Sequence, residues 1–107
     1  MIPQEVLETR QFWLYQLPSV SEENQRHLER YKRFILSRPI REREKFKHAK
    51  HHIVPHKMNG PDIIENLILL THREHYLAHL MLWKCGYKEM HDAFWLLSNK
   101  QSLYSSK

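Results

Sequence analysis

The spacing of apolar residues in the first half of the chain predicts two helices. The first covers residues 6–17 and is stopped by Pro18, which cannot continue a helix. The second is predicted to end near Ser37, and Ser19 and Ser21 are its candidate N-cap residues. Its apolar stripe consists of Leu28, Tyr31, Phe34 and Ile35.

Short apolar runs in the middle of the chain predict two strands. The stretch "REREKFKHAK", residues 41–50, is a basic connector whose weak periodicity is compatible with partial helix. "HHIVPHKM" and "NLILLT" are then separated by "NGPDIIE", in which the Asn-Gly and Pro-Asp pairs are typical of turns. This separation is too long for a tight hairpin, so we expect an antiparallel pair joined by an irregular loop.

The segment "THREHYLAHLMLWKCG", residues 71–86, predicts a third helix. Thr71 is the expected N-cap with Glu74 at the capping-box position, and Gly86 is the expected stop. A last helix over about residues 87–98 is predicted from Met90, Phe94, Trp95 and Leu97, followed by a fraying tail. The predicted fold class is α+β and mostly helical.

Composition narrows the setting of this fold. The 107 residues and 13.2 kDa predict a single domain. The single cysteine, Cys85, excludes an internal disulfide framework and Cys-based zinc sites, so a metal would have to bind His and carboxylates. No 18-residue apolar run exists, and the polar N-terminus does not resemble a signal peptide. We therefore expect a cytoplasmic protein with no membrane partner.

The positive charge of the chain is concentrated in one segment. The formal net charge is +5, yet residues 26–57 contain eleven Lys or Arg against three Glu, so the rest of the chain is net acidic. A basic segment of this kind is typical of a surface that binds the phosphate backbone of a nucleic acid. A solvated charged helix is the alternative interpretation.

Histidines supply the candidate chemistry. His51 and His52 are adjacent, so on a strand their rings point to opposite faces. His75 and His79 are four residues apart, so on a helix both imidazoles project from one face and can bind one ion. We predict that His51, His75 and His79 meet around a metal with an open coordination position, and that His52 moves a proton. A His-rich exposed loop and polar decoration of a core-facing helix are the alternatives.

Residues 50–84, "KHHIVPHKMNGPDIIENLILLTHREHYLAHLMLWK", resemble the ββα-metal motif of the HNH, or His-Me finger, endonucleases, with His52, Asn66 and His75 as the lettered residues. The likeness is greatest to small bacteriophage HNH and homing endonucleases, and "YKRFILSR" and "AFWLLSNK" extend it. DNase colicins show a similar pattern. The resemblance implies a single HNH domain with three parts: a helical basic part at 1–47, the ββα-metal core at 48–86, and a C-terminal helix and tail at 87–107.

The resemblance also implies a role for each matching residue. His51, His75 and His79 match the metal ligands, and His52 matches the general base. Asn66 matches the asparagine that orients the base or, in other members, binds the metal. The implied reaction is hydrolysis of a DNA phosphodiester bond with one divalent ion, leaving 5′-phosphate and 3′-hydroxyl ends. Zn²⁺ or Ni²⁺ is the ion that three imidazoles favour, whereas Mg²⁺ or Mn²⁺ is expected to support activity.

The implied partner is double-stranded DNA. The candidate phosphate contacts are cationic side chains near the motif: Lys50, Lys57, Arg41, Arg43 and Arg73. Asn59-Gly60-Pro61 stands where many phage relatives carry Gly-Gly, so the loop geometry is expected to differ. Many relatives continue into a DNA-binding segment where this sequence stops, at Lys107, which predicts weak sequence preference or a targeting partner. A homodimer is also open, and for a phage protein the location is the cytoplasm of the bacterial host.

Two other functions remain open at this stage. One is a non-catalytic DNA-binding module in which the histidines hold structural zinc, for which His52→Ala leaves function intact. The other is a phage nuclease component that a partner protein targets.

Overall fold

The computed structural model describes residues 1–44 and 46–91. The described chain is an α+β fold, about half helical, with one two-stranded antiparallel sheet. Its main elements, in chain order, are α1 (Gln4–Leu14), α2 (Gln25–Ser37), β1 (His48–His52), β2 (Leu67–Thr71) and α3 (His72–Lys84). Short 3-10 turns precede α2 and interrupt the loop between the strands.

Helix α1 ends three residues earlier than predicted. Its last residue is Leu14, although Leu17 is still buried in the core. Arg10 in this helix is also buried, and its Nη1 donates hydrogen bonds to the carbonyl oxygens of Ile35 and Arg38, at 3.0 and 2.6 Å. Both carbonyls lie at the C-terminal end of α2, where they lack an i+4 helical donor, and the Ile35 carbonyl also accepts from the backbone N–H of Arg38. Arg10 of α1 therefore helps to cap the end of α2.

Helix α2 ends at Ser37 as predicted, but its start differs. Its N-cap is Asn24, which is also the last residue of the 3-10 turn Glu22–Asn24, and no side chain caps the helix. The predicted caps at Ser19 and Ser21 are therefore wrong. The Asn24 amide instead donates to the Cys85 carbonyl at the end of α3, at 3.1 Å, so tertiary contact replaces the local cap.

The strand pair is antiparallel, as predicted, with His51 opposite Ile68. β1 begins three residues before the predicted run and ends at His52, so the residues after it belong to the loop. The described part of the basic connector contains no helix, which makes the expectation of partial helix wrong there. Its last three residues, 48–50, pair with β2 instead.

The predicted ends of α3 are confirmed. The Thr71 hydroxyl accepts from the backbone N–H of Glu74, and the Glu74 carboxylate accepts from the N–H of Thr71, so both halves of the capping box are present. The helix stops at Lys84, and Gly86 follows with a φ of 92°, a conformation that favours glycine. β2 leads into α3 without an intervening residue.

The core lies between the two long helices and the sheet. Its fully buried side chains include Tyr31 and Ile35 of α2, Leu70 of β2 and Leu82 of α3. Met90 is also buried, whereas Phe94, Trp95 and Leu97, on which the last helix is predicted, lie outside the described residues. Within residues 1–44 and 46–91, no helix is long and apolar enough to cross a membrane.

Candidate metal centre

Three imidazoles from two elements lie close together in the fold. β1 contributes His51, and α3 contributes His75 and His79. The ring centroids of His51 lie 5.3 Å from His75 and 5.4 Å from His79, and the two helix rings are 4.6 Å apart. One ring nitrogen of each residue lies within 4.8 Å of the others, so this histidine cluster could hold a metal ion.

Local geometry explains how the cluster forms. The two α3 histidines are one turn apart and therefore share a face. β1 and α3 both contact β2, and β2 runs directly into α3, so the helix packs beside the strand that carries His51. His51 is 1 % exposed, which places its ring against that helix rather than in solvent.

The tautomer of His51 follows from its hydrogen-bond partners. The hydroxyl of the buried Tyr31 lies 2.8 Å from His51 Nε2 and 2.8 Å from the carbonyl oxygen of Ile53. A carbonyl can only accept, so the single hydroxyl proton goes to Ile53 and the Nε2–H of His51 donates to the tyrosine oxygen. The lone pair of His51 is therefore on Nδ1. Because a nitrogen must be unprotonated to bind a metal ion, Nδ1 is the nitrogen of this ring that can do so.

Two nitrogens of the cluster have no hydrogen-bond partner. Nδ1 of His51 and Nδ1 of His79 are both buried and unpaired. Leaving a buried polar atom unsatisfied costs on the order of 1–3 kcal/mol. A divalent ion bound by the three imidazoles would use such lone pairs, so the donor set fits a metal of the type that prefers nitrogen ligands.

Burial favours the neutral form of His51 and His79. It holds the pKa of His51 well below the usual value, and the neighbouring rings of His79, His75 and His52 lower it further. Burial, and then His75, lowers the pKa of His79 to about 4. Each of these two rings is therefore neutral at neutral pH and keeps one nitrogen with a free lone pair, the form that binds a metal.

His52 lies at the end of β1 and is partly accessible. Its side chain is 28 % exposed, and its Nε2 lies 3.1 Å from Oδ1 of Asp62, a residue of the loop between the strands. In the sequence, Asp62 stands out only as part of a Pro-Asp turn. The only sequence signal for this contact is weak: Asp62 lies ten residues after His52, in the loop that joins the two predicted strands.

Asn66 fixes the loop rather than touching the imidazoles. Its side chain is fully buried, accepts from the N–H of Val54 at 2.9 Å, and donates to the carbonyl oxygens of Val54 and Pro61, each at 3.0 Å. Its own backbone carbonyl accepts from the N–H of Ile53. The amide therefore joins the start of the loop, directly after His52, to its far side.

The cationic residues predicted to contact DNA divide into two groups. Arg41 is held at the surface of the fold by Glu74: its Nη1 lies 2.5 Å from Oε1, and it also donates to the carbonyl of Leu69 at 3.2 Å. Arg38 contacts the same carboxylate at 3.0 Å. The remaining four are exposed: Arg43, Lys50, Lys57 and Arg73.

Both oxygens of the Glu74 carboxylate thus accept hydrogen bonds from the fold. Hydrogen bonds, the largest from Arg41 and others from Thr71 and Arg38, lower its pKa to about 2 although burial opposes the shift. The sequence predicts the capping role of Glu74 but not its two arginine partners, because residues 33 and 36 positions away give no local signal.

Comparisons with known proteins give partial matches to phage proteins. The chain is 45% identical over 51 residues to "Probable mobile endonuclease C" of Enterobacteria phage T4, covering 48% of this chain and 24% of that protein. It is 46% identical over 50 residues to "Probable mobile endonuclease E" of the same phage, covering 46% of this chain and 36% of that protein.

A third T4 protein, "Probable mobile endonuclease D", is 53% identical over 38 residues, which cover 36% of this chain and 15% of that protein. The chain therefore aligns with about a third or less of the length of these relatives. No protein-family model matches it, and no solved structure matches it significantly. The chain is similar, over about half its length, to phage proteins named as mobile endonucleases.

Proposed function

We propose that the protein is an HNH endonuclease that hydrolyses phosphodiester bonds of double-stranded DNA with one divalent metal ion. The observation that carries the proposal is the histidine cluster, in which buried nitrogens of His51 and His79 lack partners. Its elements follow the order strand, strand, helix, which agrees with a ββα-metal motif. The partial similarity to phage mobile endonucleases supports the same activity.

The three imidazoles of the cluster are the proposed metal ligands. Tyr31 holds the Nε2–H of His51 and leaves Nδ1 available, so the ligand is oriented before an ion binds. When bound, the ion supplies Lewis-acid stabilisation of the negative charge that develops on phosphate oxygens. Zn²⁺ and Ni²⁺ bind this site most tightly, while Mg²⁺ or Mn²⁺ supports turnover; metal content measured beside activity titrations tests this assignment.

His52 is the proposed general base. It follows a ligand directly in the chain, yet its ring is partly exposed, so a water molecule and a DNA phosphate can approach it. The ring takes the proton from the water that attacks phosphorus, and the bond between phosphorus and the 3′ oxygen breaks. The 3′ oxygen gains a proton from solvent, so the products carry 5′-phosphate and 3′-hydroxyl ends. Asn66 keeps the adjacent loop in place through Val54 and Pro61 and is the proposed positioning asparagine.

The DNA backbone is bound by exposed cations around the site. Lys50 lies on β1 beside His51, and Arg73 lies in the first turn of α3. With Arg43 and Lys57 they form the proposed phosphate-binding surface. Arg41 is left out of it, because its guanidinium binds the Glu74 carboxylate. Since the relatives are phage proteins, the proposed place of action is the cytoplasm of a bacterial host.

Cleavage of supercoiled plasmid tests the proposal. Wild type, His52→Ala and the control His27→Ala, a histidine of α2 outside the site, are incubated with Mg²⁺, Mn²⁺, Zn²⁺, Ni²⁺ or EDTA, and the metal content of each protein is measured. We expect wild type and His27→Ala to nick or linearise the plasmid, and EDTA to prevent this. Removal of a general base lowers the rate by about 10²–10⁴-fold, so His52→Ala should bind metal without cutting detectably.

Another outcome would favour a different function. If no protein cuts with any ion while all of them hold zinc and bind DNA, the cluster is a structural zinc site in a DNA-binding module. Cleavage that appears only after a phage protein is added would instead assign targeting or activation to a partner.

A further inference from the structure

Asp62 is an acidic residue that the proposed reaction leaves unused. Its carboxylate lies within hydrogen-bond distance of the proposed general base, with Oδ1 at 3.1 Å from His52 Nε2. The side chain is otherwise 78 % exposed. Within the described residues, the group that converges closely enough to share one ion is His51, His75 and His79, so Asp62 is not a member of the metal cluster.

The backbone that carries Asp62 is held firmly. The preceding residue, Pro61, accepts a hydrogen bond from the buried Asn66 amide at 3.0 Å. Gly60 donates its N–H to the Pro55 carbonyl at 3.0 Å, and a Cβ on Gly60 would lie 1.7 Å from the carbonyl oxygen of Val54. Only glycine fits there, so the loop approaches the strand end closely and presents Asp62 from a fixed position.

The contact selects one form of the His52 ring. A carboxylate can only accept, so the proton of the neutral ring lies on Nε2 and the lone pair on Nδ1. Without an acceptor at Nε2, a partly exposed imidazole would exchange tautomers and rotate. Asp62 is thus a third group that orients the proposed general base, an arrangement common in acid–base sites.

We propose that Asp62 is a positioning residue that orients His52 for proton abstraction. Asn66 supports it by holding Pro61, which links the buried asparagine to the base through the loop. The inference rests on the proposed role of His52 as general base. It explains how His52 is prepared for that role: the carboxylate holds the proton on Nε2, so Nδ1 is the nitrogen that accepts the proton from water.

The negative charge of Asp62 separates this role from a role in binding. An exposed carboxylate beside a DNA-binding site repels phosphate, so its removal should leave the affinity for DNA unchanged or tighten it. Loss of orientation should instead slow the chemical step. A slower chemical step without weaker DNA binding therefore identifies a positioning residue, because a residue that merely bound substrate or stabilised the fold would not produce both.

The test compares Asp62→Ala, Asp62→Asn and Glu65→Ala with wild type in the full chain. Glu65 is an exposed acid of the same loop, so Glu65→Ala removes an equal charge without touching His52. Single-turnover cleavage, DNA affinity, metal affinity and thermal stability are measured for each. For Asp62→Ala we expect a loss of at least about tenfold in the cleavage rate, a part of the whole general-base effect.

In the same experiment, metal affinity, stability and DNA affinity of Asp62→Ala should not fall. Asp62→Asn retains an oxygen acceptor and should recover much of the rate, and Glu65→Ala should cleave like wild type. A wild-type rate for Asp62→Ala, an equal loss in Glu65→Ala, or a loss explained by metal release or unfolding would overturn the inference. If wild type itself does not cleave, the proposed function fails first, so the two failures are distinguishable.

Discussion

Helix α3 carries two polar clusters of opposite kind. The Glu74 clamp at its N-terminus consists of Glu74 and its partners Thr71, Arg38 and Arg41, and both carboxylate oxygens accept hydrogen bonds. The histidine cluster, to which α3 contributes His75 and His79, leaves two buried nitrogens without partners. The first cluster is complete within the fold, whereas the second gains its missing interactions only when something binds.

This difference separates stability from function. A satisfied buried network stabilises the chain, while an unsatisfied one lowers stability until a ligand compensates. We therefore expect substitutions in the Glu74 clamp to change folding and to spare metal binding. Substitutions in the histidine cluster should do the reverse.

The largest expected effect is on metal affinity when one ligand is removed. If structural zinc sites contribute about 10 kcal/mol or more in total, loss of one of three protein ligands should cost about a thousandfold in affinity. His79→Ala is the test, measured by competition with a chromogenic chelator. Glu74→Gln is the matched control on the same helix and should keep wild-type affinity; equal losses in both variants would show that the two clusters are not separate.

Metal addition should stabilise the wild-type protein strongly. Binding to the folded state alone adds about 2.7 kcal/mol at a metal concentration of 100 times Kd. For a domain of this size that raises Tm by more than about 10 °C. Calorimetry with and without Zn²⁺ measures the shift. An equal shift in His79→Ala would place the bound ion somewhere other than the histidine cluster.

Glu74→Gln should destabilise the fold by roughly 2 kcal/mol, because it removes charged hydrogen bonds and half of a capping box. Urea denaturation of the metal-free protein measures the loss. Glu65→Gln, an exposed change in the neighbouring loop, is the control and should have little effect. A stability close to wild type for Glu74→Gln would mean that the clamp contributes nothing beyond local order.

The stabilisation of the fold by the Glu74 carboxylate should depend on pH. The pKa of Glu74 is about 2 in the folded state against an ordinary value of 4.5, so folding favours the ionised carboxylate. Its contribution is full above the ordinary pKa and is lost as the pH falls from about 4.5 towards 2, because the unfolded chain takes up the proton first. The stability difference between wild type and Glu74→Gln should therefore narrow in that window and stay constant from pH 6 to 8.

The smallest expected effect comes from Tyr31→Phe. Loss of this hydroxyl frees the Nε2–H of His51 and should weaken metal binding about tenfold, the lower end of the range for groups that orient a ligand. Tyr87→Phe is the matched control, since its partly buried hydroxyl donates to the Pro18 carbonyl away from the cluster. Both variants should lose similar stability, about 1 kcal/mol. An unchanged metal affinity for Tyr31→Phe would show that the tautomer needs no support from the fold.

Short-range patterns determined much of the fold. The apolar stripe of α2, the capping box of α3 and the stop at Gly86 were all visible in the sequence, because their interactions lie within about one turn of helix. The convergence of His51, His75 and His79 was also expected, and the structure brings the rings together. The start of α2 was missed, because Asn24 contacts Cys85 across the fold and no local cap exists.

Only the tertiary structure decided how the candidate residues are held. Tyr31 and His51 are 20 residues apart, and Arg38 and Glu74 are 36 apart, so no periodicity connects them. Asp62 could be recognised beside His52 only when the loop path was known. The sequence by itself determined which residue types and which local elements were available. The packing of distant segments decided which nitrogens are satisfied and which remain for a ligand, because burial and hydrogen-bond partners are properties of the folded chain.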